Sequence, residues 1–142
     1  MEIKWVDTHC HLQLLNKNLD ENHFKNIEFL VIPGVDVESS SKAKEISSSL
    51  EVESYWSAGL HPHDAKLLDT QRHDLEKLFV EADLIGETGL DFYRNLSTKE
   101  EQRENFLFHL DFSKQLNKPI IIHCRDSFQD TYDLLVEFNN PS

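Results

Sequence analysis

Four stretches of the chain carry side chains that could do chemistry together. His9-Cys10-His11 places two imidazoles two residues apart. On an extended segment that spacing turns both rings to the same side, so two nitrogens can meet one cation. His61-Pro62-His63 lies after the third apolar run, and Glu87 ends the fourth between Gly86 and Thr88-Gly89. His123 follows three isoleucines and is trailed by Cys124, Arg125 and Asp126. Each signal has an ordinary reading alone: loop histidines, an acid leaving for solvent, a hydrogen-bonded core imidazole. Together, three histidines (His9, His11, His123) and one carboxylate (Glu87) at matching strand ends point to a metal centre. Imidazole and carboxylate donors suit Zn, Mn or Fe-type divalent ions, and Mg where carboxylate dominates. Cys10 and Cys124 point away from the histidines beside them and read as buried packing residues rather than ligands. A disulfide between them would bring distant strands within about 7 Å and is not expected.

The elements that must hold these residues alternate between short apolar runs and helical patterns. Strands are expected over 3–7, 29–34, 52–60, 84–87 and 120–123. Helices are expected over 19–27, from a cap at Asp36 to about residue 50, around Leu75, Leu78 and Phe79, from Ser97 to Leu116, and over 127–137. Thr98 with Glu101 fits a capping box, and Lys118-Pro119 ends that helix. Residues 138–142 read as a helix exit and turn. Continuous rather than alternating apolar runs predict strands buried on both faces, as in a parallel sheet covered by helices. Two architectures fit: an open doubly wound α/β sheet, or an arc of a (β/α)8 barrel. In both, sites are built at the C-terminal strand ends, where the histidines and acids fall. The doubly wound alternative calls for a glycine-rich loop after the first strand, and Thr8-His9-Cys10-His11-Leu12 is unlike one.

Composition narrows the partners. The 142 residues carry 14 Lys and Arg against 26 Asp and Glu, a formal net charge of −12, which excludes a basic stripe as a nucleic-acid grip. With 39% hydrophobic residues the chain can build a core, and 4 Gly and 4 Pro argue against a turn-dense β-sandwich. The length suits one domain. No secretory signal pattern and no apolar run of about 20 residues is present. A cytoplasmic location, or a nuclear one in a eukaryote, is therefore expected, with no membrane contact.

Five motifs carry a resemblance that spans the chain in order. They are Asp7-Thr8-His9-Cys10-His11-Leu12, Val31-Ile32-Pro33-Gly34-Val35, Gly59-Leu60-His61-Pro62-His63, Ile85 to Arg94, and Pro119 to Asp126. This set resembles the TatD family of metal-dependent deoxyribonucleases, a TIM-barrel branch of the amidohydrolase-like superfamily. The resemblance implies two divalent ions (Mg, Mn or Zn) and phosphodiester hydrolysis, with DNA as substrate degraded from its 3′ end. It implies His9 and His11 on one metal, Glu87 bridging two, and His123 on the second, with His63 facing the same rim. Arg94 and Arg125 become phosphate contacts, since a guanidinium forks onto two phosphate oxygens; the alternative for them is surface ion pairing. The family pattern adds a His after strand six and an Asp after strand eight. Five β/α units therefore read as the N-terminal portion of one such barrel domain, truncated and with catalysis in question. Exposed sheet edges would favour self-association. Two other readings stay open: a non-catalytic fragment that keeps the ligands, and a metal-dependent ester or amide hydrolase on the same fold.

Overall fold

The computed structural model describes residues 3–15 and 19–139. Five parallel strands form one sheet in the order β1 (Trp5–Asp7), β2 (Ile27–Ile32), β3 (Glu53–Ala58), β4 (Leu84–Asp91) and β5 (Ile120–Arg125). Four helices connect or follow them: α1 (Val37–Ser49), α2 (Leu68–Glu81), α3 (Lys99–Leu116) and α4 (Phe128–Asn139). The strand order never reverses. A doubly wound sheet needs such a reversal, so the topology is that of a barrel arc.

Local chemistry accounts for the helix starts. Asp36 caps α1 by accepting from the Ser39 N–H at 2.6 Å. Thr98 and Glu101 form the reciprocal capping box of α3, as expected. Asn117, left-handed at φ 51°, stops α3 two residues before Pro119. Lys118 then donates to the carbonyls of Phe79, Val80 and Ala82 and closes the C-terminus of α2. One core cluster lies between β2–β4 and α1–α3, around Ile32, Leu60, Phe79, Ile85 and Phe108. A second, with Leu90, Phe106, Leu110 and Leu134, ties α3 and α4 to β4.

Four expectations are corrected. The helix expected over 19–27 is a four-residue 3-10 turn, Glu21–Phe24, capped by Asp20, after which Ile27 already pairs in β2. Its few apolar residues could not hold an amphipathic helix on the sheet. The fourth strand does not stop at Glu87 but runs to Asp91, paired with β5 as far as Asp91 beside Arg125. Burial on both faces fails at the edges: Trp5 is 63% and Val6 50% exposed, because β1 has β2 on one side only. Of the helix exit and turn expected at 138–142, Phe138 and Asn139 still belong to α4, and 140–142 lie outside the described residues.

Candidate metal centre

His9 and His11 follow β1, and Glu87 stands within β4. Their ligand atoms converge: His9 Nε2 lies 3.3 Å and His11 Nε2 3.5 Å from Glu87 Oε2, and the two Nε2 atoms are 3.1 Å apart. The tautomer of His11 follows from its other nitrogen. Nδ1 is 3.0 Å from the Pro33 carbonyl, which only accepts, so Nδ1 carries the proton and Nε2 of the neutral ring offers a lone pair. Gln13 donates to the same carbonyl at 2.7 Å and to Ser39 Oγ at 2.9 Å, fixing the loop from below. Lone pairs facing a carboxylate repel unless a proton or a cation lies between them. His9, His11 and Glu87 therefore fit a divalent cation by the chemistry of their donor set. Without one, the hydrogen bond to Glu87 raises the His11 pKa above its ordinary value, against burial.

A second group, His61, His63 and His123, stands on the other side of Glu87. Glu87 Oε1 lies 3.2 Å from His123 Nδ1 and 3.9 Å from His61 Nε2. The two carboxylate oxygens thus face different histidine groups. The protons in this group are shared in a chain. The His63 N–H donates to His61 Nδ1 at 3.2 Å, so His61 carries its own proton on Nε2, 3.2 Å from His123 Nδ1. His123 Nε2 and His63 Nε2 in turn reach Asp91 Oδ2 at 2.9 and 2.8 Å. Burial, reinforced by the neighbouring His123, pushes the His61 pKa down to about 4. Hydrogen bonding to Glu87 raises that of His123. Burial works to raise Glu87 and Asp91, yet both are held well below the ordinary carboxylate range. For Glu87 the counterweights are bonds with His11 and His123, and for Asp91 the Arg94 backbone N–H with His63 and His123.

The structure brings His9, His11, His63, Glu87 and His123 into one open cleft of about 400 Å³. Two participants, His61 and Asp91, are absent from the candidate set the sequence suggested. His61-Pro62-His63 repeats the spacing of His9-Cys10-His11, which is the signal for His61. Asp91 needed β4 to continue. Two glycines shape that strand: Gly86 has φ +111° and Gly89 +137°, and a Cβ at Gly89 would strike the His123 backbone beside it. Arg94 and Arg125 do not enter the imidazole group. Their guanidinium carbons sit 5.8 and 3.9 Å from the ring centroid of Tyr93, which is 59% exposed, two residues beyond Asp91. The cysteines are both free, but only Cys10 is partly buried; Cys124 is exposed, a correction that follows from β5 having β4 on one side only. Burial, with Asp7 nearby, pushes the Cys10 thiol up to about 11, and its Sγ donates to the Val31 carbonyl, away from the histidine pair.

A family model described as TatD related DNase matches residues 6–142. The chain is 32% identical to an uncharacterized metal-dependent hydrolase of Buchnera aphidicola subsp. Acyrthosiphon pisum, over 94% of this chain and 57% of that protein. It is 36% identical to a protein of Escherichia coli K12 named 3′-5′ ssDNA/RNA exonuclease TatD, over 75% of this chain and 42% of that one. Among solved structures, the TatD homolog YJJV of Escherichia coli K12 superposes with a TM-score of 0.86 at 21% identity, covering 99% of this chain and 58% of that one. A TatD family hydrolase from Entamoeba histolytica gives 0.78 at 19%, covering 98% and 56%. These likenesses establish the fold as an incomplete TIM-type barrel. The chain spans about half the length of the relatives it matches.

Proposed function

The chain belongs to the TatD-related DNase family, and from that premise we propose that it carries the N-terminal part of a two-metal phosphodiesterase domain acting on DNA from the 3′ end. The observation that carries this reading is the split of Glu87: Oε2 toward His9 and His11, Oε1 toward His123. That is the disposition a bridging carboxylate requires. His9, His11 and Glu87 would hold one divalent ion, and Glu87 with His123 the second, with His61 and His63 beside it. Divalent ions in such pairs supply an activated water and neutralise phosphate charge. His11 offers Nε2 with its proton held on Nδ1 by the Pro33 carbonyl, whereas the second group must first give up the protons it shares.

The rest of the work falls to this chain's own groups. Asp91 accepts from His63 and His123 and orients both rings. His63 lines the same cleft, with its Nε2 proton held by Asp91. Arg94 and Arg125, gathered on Tyr93, offer two forks for a phosphate and a ring face for a base. Self-association through the β1 edge is part of the same proposal.

The test is zinc and manganese titration by calorimetry, followed by digestion of 3′-labelled single-stranded DNA. Binding of two equivalents, lost in Glu87→Gln, is expected. A chain that takes up no metal sinks the metal-centre reading. Alanine at both Arg94 and Arg125 separates substrates: DNA cleavage falls while hydrolysis of a small ester is spared. DNA cleavage that survives intact refutes phosphate recognition by these residues and leaves the ester or amide hydrolase open.

A further inference from the structure

The core-facing side of α3 is polar where burial would favour carbon. Gln102, Asn105 and His109 follow helical spacing on one face and are 1%, 0% and 0% exposed. Burying three such side chains is unfavourable unless each finds partners. Their partners are main-chain groups next to the metal centre. The Leu60 N–H donates to His109 Nε2 at 3.0 Å, and Asn105 Nδ2 donates to the Leu60 carbonyl at 2.7 Å. The Asp91 N–H donates to Gln102 Oε1 at 2.7 Å, and Gln102 Nε2 returns a bond to the Asp91 carbonyl at 3.1 Å. Asn105 Nδ2 also reaches Thr88 Oγ1, beside Glu87, at 3.3 Å.

The sheet explains why these backbone groups need partners. β3 and β4 pair only at Ser57–Leu84 and Ala58–Ile85. Beyond that point the two strands share no further pairing, although the Gly59 backbone still lies against Gly86 and Glu87. Leu60, past the end of β3, and Asp91, at the end of β4, would otherwise leave buried N–H and C=O groups unbonded. The amide of Asn105 can face only one way, because the Leu60 carbonyl needs a donor, and its Oδ1 accordingly has no partner. His109 is fixed as well: Nδ1 donates to the Asn105 carbonyl at 2.7 Å, leaving Nε2 as the acceptor.

We propose that Gln102, Asn105 and His109 are positioning residues that replace the missing β3–β4 hydrogen bonds and so set the placement of His61, His63 and Asp91. They touch neither substrate nor metal. His9 and His11 follow β1, with His11 held by the Pro33 carbonyl, and neither bonds to α3. The inference rests on the proposed metal centre only for its consequence in binding. Its geometric content stands apart.

The test uses the chain labelled with nitrogen-15 in its histidine rings, first without metal and then titrated with zinc. In His109→Leu and Asn105→Leu, the ring resonances of His61, His63 and His123 move and those of His9 and His11 do not. Zinc affinity read at the first three rings then falls by about tenfold, while that read at His9 and His11 stays within about twofold. In His109→Gln both effects reverse, because a glutamine amide can accept from Leu60 and donate to the Asn105 carbonyl. Should the leucine variants not fold by circular dichroism, His109→Ala is read in the same way. Unmoved His61 and His63 resonances, an equal shift of all five rings, or no rescue by glutamine overturns the proposal. A wild-type chain that binds no zinc removes the metal-centre reading, and the metal-free spectra still decide the positioning role of Gln102, Asn105 and His109.

Discussion

Glu87 is only 7% exposed and stays ionised because imidazoles surround both of its oxygens. Replacing it with glutamine keeps the shape but puts an uncharged amide among nitrogen lone pairs. Zinc affinity is expected to drop by about 100-fold or more, measured by competition with a chromophoric chelator. A drop of less than about threefold would mean that Glu87 bridges nothing. His109 gives a second prediction, now in stability. Burial pushes its pKa down to about 4, so the folded chain refuses a proton that the unfolded chain accepts. Its contribution is whole above the ordinary histidine pKa of about 6.5 and is lost as the pH falls from there toward 4. Between about pH 7.5 and about pH 4.5, His109→Gln should lose about 2.5 kcal/mol less than wild type in urea unfolding. Equal losses in the two proteins would show that His109 does not titrate against folding.

Among the elements, β4 decides most. It carries Glu87 and Asp91, four residues apart, and it lies against β5 so closely that residue 89 has room only for glycine. Gly89→Ala is expected to destabilise the chain by about 3 kcal/mol, read as a lower urea midpoint. A neutral substitution would show that β4 and β5 can separate at no cost. The capping box of α3 is worth less: Thr98→Ala should cost about 1 kcal/mol. The helices α1 and α3 were legible in the sequence because their signals are local, with Asp36, Thr98 and Glu101 each lying within a turn of what they cap. The His9-x-His11 pair was legible for the same reason. The extension of β4 was not, since Glu87 is flanked by Gly86 and Gly89 and the residues after it pair only because β5 lies beside them. Reading the strand as ending at Glu87 put Asp91 in a loop and hid its contact with His63 and His123. The polar face of α3 was equally hidden, since Gln102, Asn105 and His109 look like solvent-facing residues until the early end of β3–β4 pairing shows what they bond.

At the scale of the whole molecule, two features act against each other. The arc leaves apolar side chains bare along β1, with Ile3 and Trp5 each 63% exposed and Val6 50%. A strand edge with such side chains is a template for pairing with another chain. The net charge of −12 opposes that contact, because two like-charged copies repel. Salt separates the effects: at 0.1 M the screening length is about 10 Å, so repulsion fades while apolar burial persists. Association of the chain should therefore strengthen as salt is raised, measured by sedimentation equilibrium at several ionic strengths. Ile3 and Trp5 share one side of the extended segment, so the pair Ile3→Lys and Trp5→Lys tests the edge directly. The double variant should stay monomeric at salt concentrations where the wild type associates. Association of the double variant equal to that of the wild type would move the contact away from β1, and association that weakens with salt would mean that ion pairs rather than the apolar edge hold the copies together.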